Sequence, residues 1–139
     1  MKTILCYGDS NTWGRKPIAI MGALERFDRD TRWTGVLARQ LGAEFQVIEE
    51  GLNSRTTVHD DPIEGAHKNG KTYLYPCLES HAPLDLVVLM LGTNDLKRQF
   101  SFSAFNVARG IRALLDTVAS IAPKNGGVKP QTLVIAPPT

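Results

Sequence analysis

The chain lacks any apolar run near the roughly 18–20 residues that a membrane-crossing helix needs. Lys2 precedes an apolar stretch, but Ile4 to Tyr7 is too short for the core of a signal peptide and runs straight into Gly8-Asp9. A cytoplasmic protein with no membrane partner is the expectation. An excess of one charge is lacking too. The 16 basic and 14 acidic residues leave a formal +2, too weak a field to gather nucleic acid. Cysteine is scarce, with two in 139 residues. Cys6 and Cys77 both sit in apolar company and are expected as packed free thiols. His59-Asp60-Asp61 and His67 are loop neighbours that do not converge as ligands, and no helical His pair supports them. No metal and no cofactor is expected. Neither an internal repeat nor a domain-boundary linker interrupts the chain, so residues 1–139 read as a single domain around one core.

What the chain does have is alternation of strand and helix patterns. Thr3 to Tyr7 (TILCY) is a short β-rich run that stops at Gly8-Asp9-Ser10. Trp33 to Leu41 spaces its apolar residues at helical intervals and Gly42 ends it. Phe45 to Ile48 makes a second strand, followed by a long polar stretch through Asn69. The segment Tyr73 to His81 reads as a short helix, with Pro76 tolerable only near its first turn. Leu84 to Leu91 (LDLVVLML) is apolar on both faces apart from Asp85, the pattern of a central parallel strand. Ser103 is placed to cap a helix running to Ile121, and Thr132 to Ala136 is a fourth strand. This order predicts an α/β fold, a parallel sheet with helices on both faces.

In such sheets the loops after the carboxyl ends of the strands gather at one edge, where ligands bind. Those loops here are GDSNTWG, EEGLNSRTT and GTND, which brings Ser10, Ser54 and Asn94 toward one cleft. Ester hydrolysis by serine needs an exposed hydroxyl, a base, and donors for the oxyanion. A tight turn could present Ser10 and its amide, Asn94 a side-chain N–H, and the second loop a backbone N–H. A Gly-Asp-Ser turn taken alone is most often only a turn.

Three blocks in order, each after a strand, resemble the first three blocks of the GDSL or SGNH hydrolases: Gly8–Gly14, Glu49–Thr57 and Gly92–Asp95. Within that family the resemblance runs to the bacterial arylesterase and acyltransferase branch, on RWTGVLARQLGA, VIEEGLNSRTT and LDLVVLMLGTND, and it covers essentially the whole chain. It implies a three-layer α/β/α, flavodoxin-like fold. It implies Ser10 as nucleophile, with its own amide, the Ser54 backbone N–H and the Asn94 side chain as oxyanion donors. Gly51 is the weaker candidate that other branches use. Asp9 and Asp95 would hold their turns, and Trp13 and Thr93 would flank the acyl pocket. Small acyl esters are the implied substrates, and since the branch includes oligomers, homo-oligomerisation stays open.

Three departures qualify the resemblance. Asn11 follows the nucleophile in place of leucine, a common variation. Arg15 stands where close relatives carry a pocket aromatic, which puts the pocket's polarity in doubt. The family's Asp-x-x-His block, its acid and base, is not found before Thr139, so the chain reads as about four strands of an incomplete domain. A second reading therefore stands beside the esterase: a catalytically inactive remnant that at most binds a small ester or acyl ligand.

Other features are weighed as decoys. His59→Ala is expected to leave any hydrolytic rate unchanged, because a surface loop histidine has nothing to fix its distance to Ser10. His81 precedes a strand and should lie at the far end of the sheet from Ser10. Gly65 to Thr72 satisfies the phosphate-loop pattern G-x-x-x-x-G-K-S/T, but Asp60-Asp61-Pro62-Ile63-Glu64 before it cannot be a buried strand. Glu49 and Glu50 are adjacent strand residues and point to opposite faces, so they cannot flank one glycosidic bond.

Overall fold

A computed structural model describes residues 1–17 and 22–137. Four strands, β1 (Lys2–Gly8), β2 (Phe45–Gly51), β3 (Leu86–Met90) and β4 (Gln131–Val134), form one sheet in the order β2-β1-β3-β4, with every pairing parallel. Four helices, α1 (Ser10–Trp13), α2 (Trp33–Leu41), α3 (Gly70–His81) and α4 (Ala104–Ser120), join them, with 3-10 turns at Ala66–Lys68, Asn94–Leu96 and Ala122–Lys124.

Period-two alternation in β1 divides the core. Leu5 and Tyr7 face α3 and α4 and pack with Leu74, Leu78, Leu89, Leu114 and Val118. Ile4 and Cys6 face the other way, where Trp33, Leu37 and Leu41 of α2 close over them with Val47 and Val88. Helices thus cover both faces, as the alternating sequence predicts. The same alternation separates the two glutamates. Glu49 meets Arg32 (3.4 Å) and the Thr34 hydroxyl on the α2 side. Glu50 meets His81 (3.0 Å) and the Tyr73 hydroxyl (3.3 Å) on the α3 side.

Some boundaries differ from the sequence reading. The third strand is shorter at each end than the apolar run; at its start Asp85 turns outward and accepts from the Thr3 N–H (2.8 Å) and Lys2 Nζ (3.4 Å). Helix α3 begins at Gly70, with Asn69 accepting from the Lys71 N–H, so Pro76 lies inside it and not in its first turn. The carbonyl left without a donor there belongs to Thr72, which is exposed, so the interior proline leaves no buried polar group unpaired. Glycine lets two helices sit hard against the loop after β2. A Cβ on Gly70 would collide with the Thr56 and Thr57 carbonyls, and one on Gly110 of α4 with the Thr57 side chain.

Candidate active site

The Ser10 turn is built from its neighbours. Asp9 caps α1, its Oδ1 accepting from the Asn11 N–H at 2.9 Å while its carbonyl accepts from Thr12 and Trp13. Gly14, at φ 91°, ends the helix after one turn. Asp9 is fully buried and its Oδ2 has no hydrogen-bond partner among the described residues. Burial pushes its carboxyl above the ordinary range, against the pull of its backbone hydrogen bonds. Asp9 therefore holds the turn and does not reach out of it. Ser10 is half-buried, and its N–H meets no acceptor among the described residues.

The loop after β2 is locked against this turn. The Leu52 N–H donates to the Gly8 carbonyl (3.1 Å). Gly51 lies flat against the backbone of Thr12 and Trp13, where any side chain would collide. Its closeness, and not an N–H aimed at substrate, is what the structure shows of Gly51. Ser54 takes φ 65°, a left-handed conformation uncommon for a residue with a side chain. Its N–H, like that of Ser10, finds no acceptor among the described residues.

The loop after β3 completes the arrangement. Asn94 is 8% exposed, and its Nδ2 donates to the Arg55 carbonyl at 3.0 Å, leaving its second N–H uncommitted to any described acceptor. Asp95 is fully buried: Oδ1 accepts from the Thr57 N–H (2.9 Å) and Oδ2 from the Thr57 hydroxyl. Asp95 thus anchors the third loop to the second. Thr93, just before Asn94, is exposed.

Beside the Ser10 turn, Trp13 is half-buried beneath the Arg26 guanidinium, 4.7 Å from its ring centroid, and its carbonyl accepts from Arg26 Nε (2.7 Å). Arg15 bridges to Arg26 through the backbone and leaves its side chain exposed. The structure thus puts a cationic edge, Arg15 with Arg26, where the resemblance leads one to expect an aromatic.

The histidines fall elsewhere. His59 Nε2 lies 3.6 Å from Asp95 Oδ2 and its ring stacks on Phe102 with centroids 4.2 Å apart. No hydrogen bond joins it to Ser10 among the described residues. His67 lines a cavity of about 440 Å³ with Arg55 and Tyr73. His81 reaches Glu50, one residue before Gly51, so its side chain extends farther toward the loop-bearing edge than its place in the sequence suggests. Tyr73, Cys77 and His81 follow one another at four-residue steps down α3, and Glu50, Cys77 and His81 bring ligand-type atoms within 4.8 Å of one another. The sequence reading missed this cluster, whose signal was the Cys77/His81 spacing. Glu50 is already engaged by Tyr73 and His81, and burial raises the Cys77 thiol to about 12. It serves here as a hydrogen-bonded seam between β2 and α3. The phosphate-loop pattern straddles a 3-10 turn, Ala66–Lys68, and the start of α3, with no strand before it. Arg55 and the Thr57–Asp95 pair were also missed, because only the tertiary fold gives either its partners.

The sequence profile of the GDSL-like Lipase/Acylhydrolase family matches residues 6–139. Among solved structures, the inhibitor-bound aryl esterase of M. smegmatis is 49% identical, with a TM-score of 0.93 over 99% of this chain and 65% of that one. Est24, a carbohydrate acetylesterase from Sinorhizobium meliloti, is 44% identical, with a TM-score of 0.93 over 99% of this chain and 65% of its own. A member of the lipolytic protein G-D-S-L family from Veillonella parvula, at 14% identity and TM-score 0.62, shares the fold. The chain therefore spans about 65% of the length of the two esterases it matches at high identity. No curated protein matches it at a significant level.

Proposed function

The chain belongs to the GDSL-like lipase and acylhydrolase family, and from that premise we propose that it carries the nucleophile and oxyanion half of an acyl-ester hydrolase. Ser10 Oγ attacks the carbonyl carbon of a small acyl ester. The tetrahedral oxyanion accepts from the Ser10 N–H, the Ser54 N–H and the free N–H of Asn94. Collapse expels the alcohol and leaves an acyl-serine, which water, or a second alcohol in acyl transfer, then releases. One observation carries the reading: two backbone N–H groups and one amide N–H, on three separate loops tied to one another, are left without acceptors among the described residues. Preorganised donors of this kind are commonly the largest contributor to acyl-transfer catalysis. Trp13, Thr93 and Arg15 form the acyl-pocket wall in this proposal, with Asp9, Gly51 and Asp95 holding the loops.

The step still requires a base to take the Ser10 proton. No histidine or carboxylate bonds Ser10 Oγ among the described residues, and that observation favours the second reading, a ligand-binding domain that does not turn over. Incubation with a fluorophosphonate, read by mass spectrometry, separates the two. Label on Ser10, abolished in Ser10→Ala, supports the hydrolase. An unlabelled Ser10 that still binds a phenyl ester supports the binder. Removal of the histidine alone costs about 10⁶ in turnover in a serine protease, so the two outcomes lie far apart.

A further inference from the structure

Among the described residues, Arg55 is the only buried lysine or arginine, at 3% exposure. Its NH1 donates to the Gly8 carbonyl (3.0 Å) and to the Glu50 carbonyl (2.7 Å), the ends of β1 and β2. The guanidinium carbon sits over Tyr7, 4.1 Å from the ring centroid, with Tyr73 farther out at 5.5 Å. None of these contacts is an ion pair. The backbone of the same residue is equally engaged: its N–H donates to the Leu52 carbonyl (3.1 Å), and its carbonyl holds Asn94 Nδ2 (3.0 Å). Arg55 also directly follows Ser54, and its N–H bond to the Leu52 carbonyl closes the turn that contains Ser54.

We propose that Arg55 is the positioning residue of the oxyanion site, fixing Ser54 and Asn94 against the Ser10 turn and placing a buried positive charge that makes no ion pair behind the three donors. The inference rests on the oxyanion reading of those residues. Taking a guanidinium out of water without a carboxylate is unfavourable, and two carbonyl hydrogen bonds and a tyrosine face offset only part of that. A positive charge in a dry interior is useful where negative charge develops nearby, because it is worth more there than in water. Arg55 also connects all three loops: its side chain reaches the end of the strand that leads into Ser10, its N–H closes the Ser54 turn, and its carbonyl aims Asn94. A change at this residue is felt by every donor at once.

The test uses ¹⁵N-labelled chain and methylphosphonate, a tetrahedral oxyanion whose binding needs no catalytic base. In the wild type, the amides of Ser10 and Ser54, the side-chain NH₂ of Asn94 and Arg55 Nε should all shift on titration. Arg55→Lys keeps the charge without the planar fork, and Arg55→Gln keeps donors without the charge. Both should bind methylphosphonate about tenfold or more weakly, Arg55→Gln through loss of the charge and Arg55→Lys through loss of the paired carbonyl hydrogen bonds that hold the loops. A purely structural arginine would lower the melting temperature of both variants and leave the affinity of the folded fraction unchanged. That outcome overturns the proposal. Should neither variant fold, the wild-type Arg55 Nε decides, since an unmoved Nε signal at saturation also overturns it. A wild type showing no shift at Ser10, Ser54 or Asn94 defeats the oxyanion reading itself, and the role of Arg55 with it.

Discussion

Ser54 holds φ at 65° with a side chain in place, and glycine would take that conformation without the steric cost. Ser54→Gly should therefore raise stability by up to about 1 kcal/mol, the order of the left-handed penalty it removes. It should also leave fluorophosphonate labelling of Ser10 unchanged, because the proposed role belongs to the backbone N–H. Urea unfolding checks the first outcome and a labelling time course the second. A large loss of labelling would move the role to the hydroxyl. His59 supplies the complementary case. Its ring stacks on Phe102, and no hydrogen bond joins it to Ser10 among the described residues, so His59→Ala should change neither labelling nor any hydrolysis of a standard aryl acetate.

At the scale of elements, the site depends on how closely α4 approaches the second loop. Gly110→Ala should cost about 1–3 kcal/mol, the range for overpacking a tight contact, since the new methyl meets the Thr57 side chain. Thr57 carries Asp95 and, through it, the third loop, so the same variant should weaken methylphosphonate binding at Asn94. Denaturation and titration of one sample measure both. The outer end of β3 offers a pH test. Asp85 is held below its ordinary value of 3.8, chiefly by the Thr3 N–H and secondarily by Lys2. A carboxylate depressed in the folded state contributes stability that is complete above the unfolded value and is lost as pH falls through the folded one. Asp85→Asn should therefore be less stable than wild type at pH 7. The gap should persist down to about pH 4 and close below it, as melting temperatures across that range would show. A gap independent of pH would mean that the charge is not what stabilises this strand end.

For the whole molecule, the sheet edge is the prominent feature. Strand β4 has one neighbour, and Leu133 and Val134 are 50% and 43% exposed. Beside them a groove of about 310 Å³ is lined by Leu91, Val107, Ile111 and Pro137. An open strand with neither charge nor proline is a template for pairing with another chain. The 139-residue polypeptide should associate as its concentration rises, and Val134→Lys should shift it toward monomer in sedimentation velocity without unfolding it. Equal sedimentation of the two would mean that this edge does not govern assembly.

The layered fold and the loops that bear Ser10, Ser54 and Asn94 were legible because they rest on local signals. Apolar periodicity sets which face is buried, and strand ends in a parallel sheet share one edge whatever the details of packing. Ser10 and its turn could be read in this way from Gly8-Asp9-Ser10 and the strand before it. Contacts between residues far apart in the chain were not legible. Arg55 looks like an ordinary loop cation until the folded chain brings Gly8, Glu50 and Tyr7 around it. Asp95 could be seen as a turn residue, but its partner Thr57 lies 38 positions away. The Glu50–His81 contact and the Arg26 cover on Trp13 are of the same kind. Sequence by itself determined which elements form and which loops share an edge, because both follow from periodicity and chain direction. Only the tertiary structure decided which donors are left free at that edge and which buried charge stands behind them, because burial and partnership are properties of the packed chain.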